Sequence, residues 1–505
     1  MKAKNKNCRF FIGKIALLLV IVFSLFSCQR DENLSIIAPL AKGNDKAKYD
    51  FSKSFSAALT NEPSVRGFLK NEAMKMSNGD YDVLYALVKD KKLSSGKSFE
   101  EALAPHFGGL DKLRAIERQA PLLTMFVPTL PENSFSAEKW DADSEIPFVA
   151  IRLSSTNDVP IISPEGEEYM LDSELIPSYP VVVIKDNERM MYKGQLGYDQ
   201  LKSTRVLTNS EGVNYKFVSD IFDSHIQSQR SQENFRLITN IDQKLVDAYN
   251  IYQGADGWQR DYIYYGLTPG NPNGQLSYDF VEHIRSFNIV GNARSVFNAM
   301  SANNTDVSDP QIHSGKRSSG WTEGNFEIKA NVLIQAKNGI GQNIPSDYLV
   351  DGTGLFNVTY IIDRRGVWPF RYDYFIINTV TAKPQAVNFP IVPWGLNNYA
   401  AVFRIDIEES DSPTKVTTST TETVKFATNF AIEGTLLKKI GLKFGASLEN
   451  TVSNTVTRET TLGSYEMGPV IVNFADKVVV SGFPYNSREY SNNVYSISVE
   501  PKRVQ

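Results

Sequence analysis

Apolar positions change their spacing several times along the 505-residue chain, and each change marks a different kind of element. Between residues 49 and 120 the spacing is helical. Phe51, Phe55, Ala58 and Leu59 share one helix face, Glu62-Pro63 interrupts it, and Ser64 offers a cap for a second helix carrying Phe68 and Leu69. Asn78-Gly79-Asp80 is a turn. Val83, Leu84, Leu87 and Val88 form another helical stripe, and Ser98-Phe99-Glu100-Glu101 opens a third short helix. From Leu122 the pattern becomes that of strands, at residues 122–127, 147–153 and 180–184, so residues 121–209 are expected to form a small β-rich region. Residues 210–305 return to helical spacing, with Leu237, Ile241, Leu245, Ala248 and Tyr249 on one face. A further helix is predicted to begin over residues 279–284. On it the neighbours Glu282 and His283 would point about 100° apart and could not act as an acid–base pair on one face.

A polar loop at 306–320 marks a boundary, and residues 321–505 read as β throughout. Phe326, Ile328, Ala330, Val332 and Ile334 alternate. Residues 355–362 and 372–377 form a hairpin across Asp363-Arg364-Arg365-Gly366. Ala401, Phe403, Ile405 and Ile407 face one way and Arg404, Asp406 and Glu408 the other, which predicts a strand with one wet face. The clearest alternation runs from 442 to 460, and Val424, Phe426, Phe430 and Ile432 repeat it upstream. A turn over 434–441 would join them into one long Thr/Ser-rich hairpin. The expected fold class is a multidomain α+β protein with a helical N-terminal region, a mixed α/β middle and a C-terminal all-β sandwich.

The first 48 residues follow different rules. Lys2, Lys4, Lys6, Arg9 and Lys14 precede the apolar run at 15–28, which is too short for a comfortable membrane span of about 20 residues. Leu25-Phe26-Ser27-Cys28 resembles a bacterial lipobox, with bulky Phe26 its one departure. That resemblance implies a signal peptide over 1–27 and acylation of Cys28 as the mature N-terminus. The following Gln29-Arg30-Asp31-Glu32-Asn33 resembles the acidic export signal of Bacteroidetes-type surface lipoproteins. The segments NGDYDVLYALVKDKKL and GKSFEEAL resemble the helical region of uncharacterised members of that group. The implied location is the outer membrane, lipid-anchored and facing outward, with 28–48 as a flexible tether.

Composition narrows the chemistry. Cys8 and Cys28 are the two cysteines, so a processed chain would hold no disulfide and no cysteine metal site. Removing the five basic residues of the signal takes the net charge from −4 to −9, which argues against nucleic acid as a partner. The histidines, His106, His225, His283 and His313, are scattered. No HExxH, GxSxG, Walker or GxGxxG motif is present. Ser94-Ser95-Gly96-Lys97 has an SxxK spacing but lies in a polar loop.

Candidate sites remain. No cofactor is expected, with calcium at Asp406, Glu408 and Asp411 as the alternative, since that ion takes oxygen ligands. Asn78, Asp80 and Asp82 lack the later ligands of an EF-hand. Asp186, Glu188 and Arg189 could line a site or simply form a charged turn after a core strand. Trp258, Arg260, Asp261 and Tyr262 could form a ligand platform through stacking and cation–π contact, or an interdomain staple.

The expected function is a non-catalytic surface binding or structural module. Its partners are the membrane, through the lipid, and a glycan or protein ligand; the oligomeric state is left open. The first alternative is a pore-former, because the Thr/Ser-rich hairpin resembles those of aerolysin-like β-pore toxins. The second is a hydrolase whose site is not readable from sequence.

Overall fold

The computed structural model describes residues 44–504 apart from 154–155, 202, 227–240, 253–257, 269, 272–273, 302–319, 323, 337–340, 351, 367–370, 397, 410–416, 428–450, 462–464 and 483. The described residues form a mixed α/β protein with more strand than helix.

Helix α1 (Asp45–Asn61) buries Phe51, Phe55, Ala58 and Leu59, the face set by their spacing. It starts inside the expected tether, because Lys48 binds Asp45 and Asp186 (both 3.0 Å) and ties the first turn to the body. Helix α2 (Pro63–Ala73) follows, with proline at its first position. The stripe from Val83 to Val88 is not one helix. It divides into strand β1 (Asp82–Leu84) and a single turn, α3 (Tyr85–Val88), because β1 is drawn into a sheet by pairing with β2 (Leu123–Phe126). Between them α4 (Phe99–Leu103) opens on a reciprocal Ser98–Glu101 capping box, and α5 (Leu110–Gln119) leads into β2.

Strands β3 (Phe148–Ile151), β4 (Val159–Ile162) and β5 (Glu168–Leu171) precede the short β6 (Leu175–Pro177) and β7 (Val181–Asp186), buried up to its last residue. The sheet order is β1-β2-β7-β3-β4-β5, antiparallel except for the parallel β3–β7 pair. Three short strands, β8 (Met190–Tyr192), β9 (Val206–Thr208) and β10 (Asn214–Phe217), make a side sheet over Leu84, Leu122 and Phe222.

Helices α6 (Gln243–Ile251) and α7 (Gln259–Tyr265) come next. The segment expected to begin a helix at 279 is instead strand β11 (Phe280–Ile289), paired on both sides. A bulge between Ile284 and Ser286 explains the misreading. It shifts the inward phase by one residue, so buried Phe280, Ile284 and Phe287 fall four and three apart, the spacing of a helix face.

After α8 (Ala293–Met300) come β12 (Phe326–Ala336), β13 (Gly341–Val350), the one-turn α9 (Gly352–Leu355), β14 (Phe356–Arg365), β15 (Tyr372–Ala382), β16 (Gln385–Pro390) and β17 (Tyr399–Glu409). The chain ends with β18 (Thr417–Ala427), β19 (Thr451–Thr461), β20 (Tyr465–Asn473), β21 (Val479–Ser481), β22 (Asn486–Ser487), β23 (Glu489–Ser491) and β24 (Tyr495–Arg503). Two four-stranded sheets result, β16-β11-β24-β23 and β13-β12-β17-β20. The pair β18–β19 forms a two-stranded ribbon in unbroken register from Thr417↔Thr461 to Ala427↔Thr451, where the long hairpin was expected. Residues 428–450, which hold its expected turn, lie outside the described residues.

Among the described residues the helical and β regions are joined by strand pairing and by packing, and a second small cluster lies under the side sheet. Strand β6 pairs with β15, and Phe148, Tyr179, Tyr372 and Tyr374 pack ring against ring at that joint. One apolar core runs from Ala47 on α1 to Val499 on β24.

Candidate functional site

The polar groups that sequence reading singled out fall in four places. Cys28 and Asp411 lie outside the described residues. Asp406 and Glu408 sit on β17, and the expectation of a wet face there is corrected: Asp406 is 2% exposed and Glu408 0%. β17 is a central strand, and its carboxylates are paired by cations from β17 itself and from β12. Arg404 Nε lies 2.9 Å from Asp406 Oδ1, Lys329 Nζ 3.4 Å from Glu408 Oε1, and Asn331 Nδ2 donates to the same oxygen at 3.3 Å. Among the described residues no group of three or more His, Cys, Asp or Glu side chains is arranged to hold a metal ion.

The block Trp258–Tyr262 lies at and within α7, which ends on left-handed Gly266 (φ 68°). Arg260 is fully buried. Its guanidinium makes a two-point pair with Glu282 on β11 (2.8 and 3.2 Å) and donates to the carbonyls of Asp476 and Val499. Tyr264 Oη also donates to Glu282 (3.2 Å). Glu282 therefore has a base partner from another element, and His283 points to the opposite face of the strand. There its Nδ1 lies 2.7 Å from the Val281 carbonyl, and burial lowers its pKa to about 4. Gln259 binds the backbone of Val478 and Val479 through three hydrogen bonds. Trp258 stacks on Tyr252, and Lys244 Nζ lies 4.2 Å from the centre of the Tyr262 ring. These contacts join α7 to three β elements, the arrangement of a staple. Asp261 is the exception: it is fully buried, neither carboxyl oxygen has a hydrogen-bond partner among the described residues, and burial pushes its pKa up to about 8.

Beside α7 opens a cleft of about 290 Å³ lined by Lys244, Tyr265, Gln275, Ser277, Asp279 and Arg503, among others. The Phe280 ring in its lining is already covered by a cation, with Arg503 4.5 Å from the ring centre. Arg503 is also held by Asp242 (2.9 Å). The cleft thus offers two cations and several hydrogen-bonding groups to a small polar ligand. Its Ser277 Oγ accepts from the Asp279 amide, and no histidine stands among its lining residues.

No protein-family model, curated protein or solved structure matches this chain.

The fourth place joins two turns read as unrelated. Residues 78–82 and 185–189 meet over β12, where Arg189 pairs with both Asp80 (3.2 Å) and Glu327 (2.6 Å), and Lys185 with Asp82 (3.3 Å) and Glu188. Glu327 carried no sequence signal, since it sits at a polar position of an ordinary alternating strand. Gly324 makes the approach possible: its φ is +93°, and a Cβ there would meet Asp80 Oδ2 at 2.1 Å.

Proposed function

We propose that this chain is a lipid-anchored cell-envelope protein, attached at Cys28 to the outer membrane and facing outward, that serves as a non-catalytic binding or structural module. The observation that carries the reading is the run at 15–28, basic before it and ending on Leu25-Phe26-Ser27-Cys28. A polar cleft beside α7 is the place where a glycan or protein ligand would sit. The two four-stranded sheets are read as the layers of a C-terminal sandwich. No described helix is long and apolar enough to cross a membrane, which leaves strand-based crossing untouched.

One observation favours a second, membrane-active reading. The β18–β19 ribbon is inserted between β17 and β20, which are themselves hydrogen-bonded neighbours. A two-stranded ribbon alone is marginally stable in water and gains from a further partner.

A single variant addresses both readings. Cys28→Ala should abolish labelling by a radioactive fatty acid and release the chain from the membrane fraction. Retention of the unlabelled chain in membranes would overturn the anchor. Purified and added to dye-loaded anionic vesicles, the released form should leave them intact if the binding module is correct; leakage would transfer the case to the ribbon.

A further inference from the structure

We propose that the seam between the N-terminal body and β12 is a latch held shut by protons: buried Asp80 and Asp82 and half-buried Glu188 and Glu327 surround the two buried cations Lys185 and Arg189, and the seam loosens as pH rises through neutrality. The inference stands apart from the anchor and from any ligand.

The geometry comes first. Three separate stretches supply the cluster: the turn before β1 with β1 itself, the end of β7 with the turn after it, and the start of β12. The side chains are almost dry, from 0% exposed for Arg189 to 11% for Glu327. Arg189 is the centre. Besides its two carboxylates it donates to the carbonyls of Asn78 (3.2 Å) and Asn325 (3.1 Å), so one guanidinium binds all three stretches. The Asn325 amide donates to Asp80 Oδ2 (2.8 Å), and Asn78 Nδ2 donates to Asp82 Oδ2 (2.8 Å). Phe126 and Phe222 lie close to the cations, 4.9 Å from Lys185 and 5.7 Å from Arg189.

The charge count comes next. Fully ionised, the four carboxylates and two cations sum to −2 among the described residues. An uncompensated charge in a dry site is costly, so such carboxyls keep a proton. Burial accordingly raises Glu188 to about 8 and Glu327 to about 7, against an ordinary 4.5, and raises Asp82 as well; the nearby cations pull the other way. The sign follows. A carboxyl whose closed-state pKa is raised stabilises the closed state fully below its open-state value, and that stabilisation is lost as pH climbs through the closed-state value. For Glu188 and Glu327 the window runs from 4.5 to about 8. Opening releases the protons held by Glu188 and Glu327, so the open fraction rises with pH in that window. Asp80 is tied to Arg189 and to the Asn325 amide.

Hydrogen–deuterium exchange on the full chain tests the latch. After correction for intrinsic exchange rates, amides of residues 325–328 and 82–84 should lose protection at least about tenfold between about pH 5.5 and about pH 8.5. Amides of α1 residues 51–59 should keep theirs. A double variant, Glu188→Gln with Glu327→Gln, should show a flat profile at the seam. Unchanged wild-type protection, or an equally steep loss in the double variant, would overturn the proposal. Should that variant fail to fold, carbon-13 titration of the wild-type glutamate carboxyls decides the matter: two resonances titrating near 7 and 8 support the latch, and none above about 5 rules it out.

Discussion

Asp261 is a buried carboxyl whose two oxygens both lack a hydrogen-bond partner among the described residues. It lies on the same short helix as Arg260, yet it received none of that helix's polar partners. Its folded pKa of about 8 stands above the ordinary 3.8, so its contribution to stability is full below 3.8 and is lost as pH rises through about 8. Asp261→Asn removes that proton and should flatten this part of the profile. Urea titrations at several pH values should find the wild type losing ground to the variant between pH 4 and 8, by at most about 1.4 kcal/mol per pH unit. Identical slopes for the two proteins would mean that Asp261 is solvated. Alternation and helical spacing place an aspartate only as facing in or out. They do not reveal whether an inward carboxyl finds a partner, so this orphan was not legible beforehand.

At the scale of elements, most of what local physics controls was readable. The α1 face, the Ser98 start of α4 and the alternation of β12 and β17 each follow from short-range spacing and capping. The failures share one cause, which is pairing with distant strands. β1 is a strand because β2 lies beside it, and β11 looks helical only because a bulge resets its phase. Helix α7 extends the lesson. Its Gln259 occupies the edge groups of Val478 and Val479, more than two hundred residues away. Gln259→Leu would leave two buried amides and a carbonyl unpaired, and should lower stability by about 3 kcal/mol in chemical denaturation. A loss under about 0.5 kcal/mol would show that water replaces the side chain.

For the whole molecule, pairing and packing cross the regional divisions suggested by periodicity. Strand β6 belongs in sequence to the small β-rich region but is hydrogen-bonded to β15. The seam at Arg189 and the Tyr179–Tyr372–Tyr374 joint also cross the boundary placed at 306–320. Calorimetry should therefore record one cooperative transition over the described body, and two resolved transitions would contradict a shared core. None of these joints could be read from the chain, because each depends on which distant stretch arrives at a given edge. The candidate site divides in the same way. Trp258–Tyr262 was visible as an unusual block, whereas the cleft beside it borrows Arg503 from the last strand.

The position of the ribbon has a consequence for how such a protein can change over generations. Glu409 and Tyr465 already face each other across β17 and β20, so everything between them leaves and re-enters the sheet at one point. That stretch can gain or lose residues, or be exchanged for a short turn, without a single register shift in the four strands behind it. Variation can therefore collect there at little risk to folding.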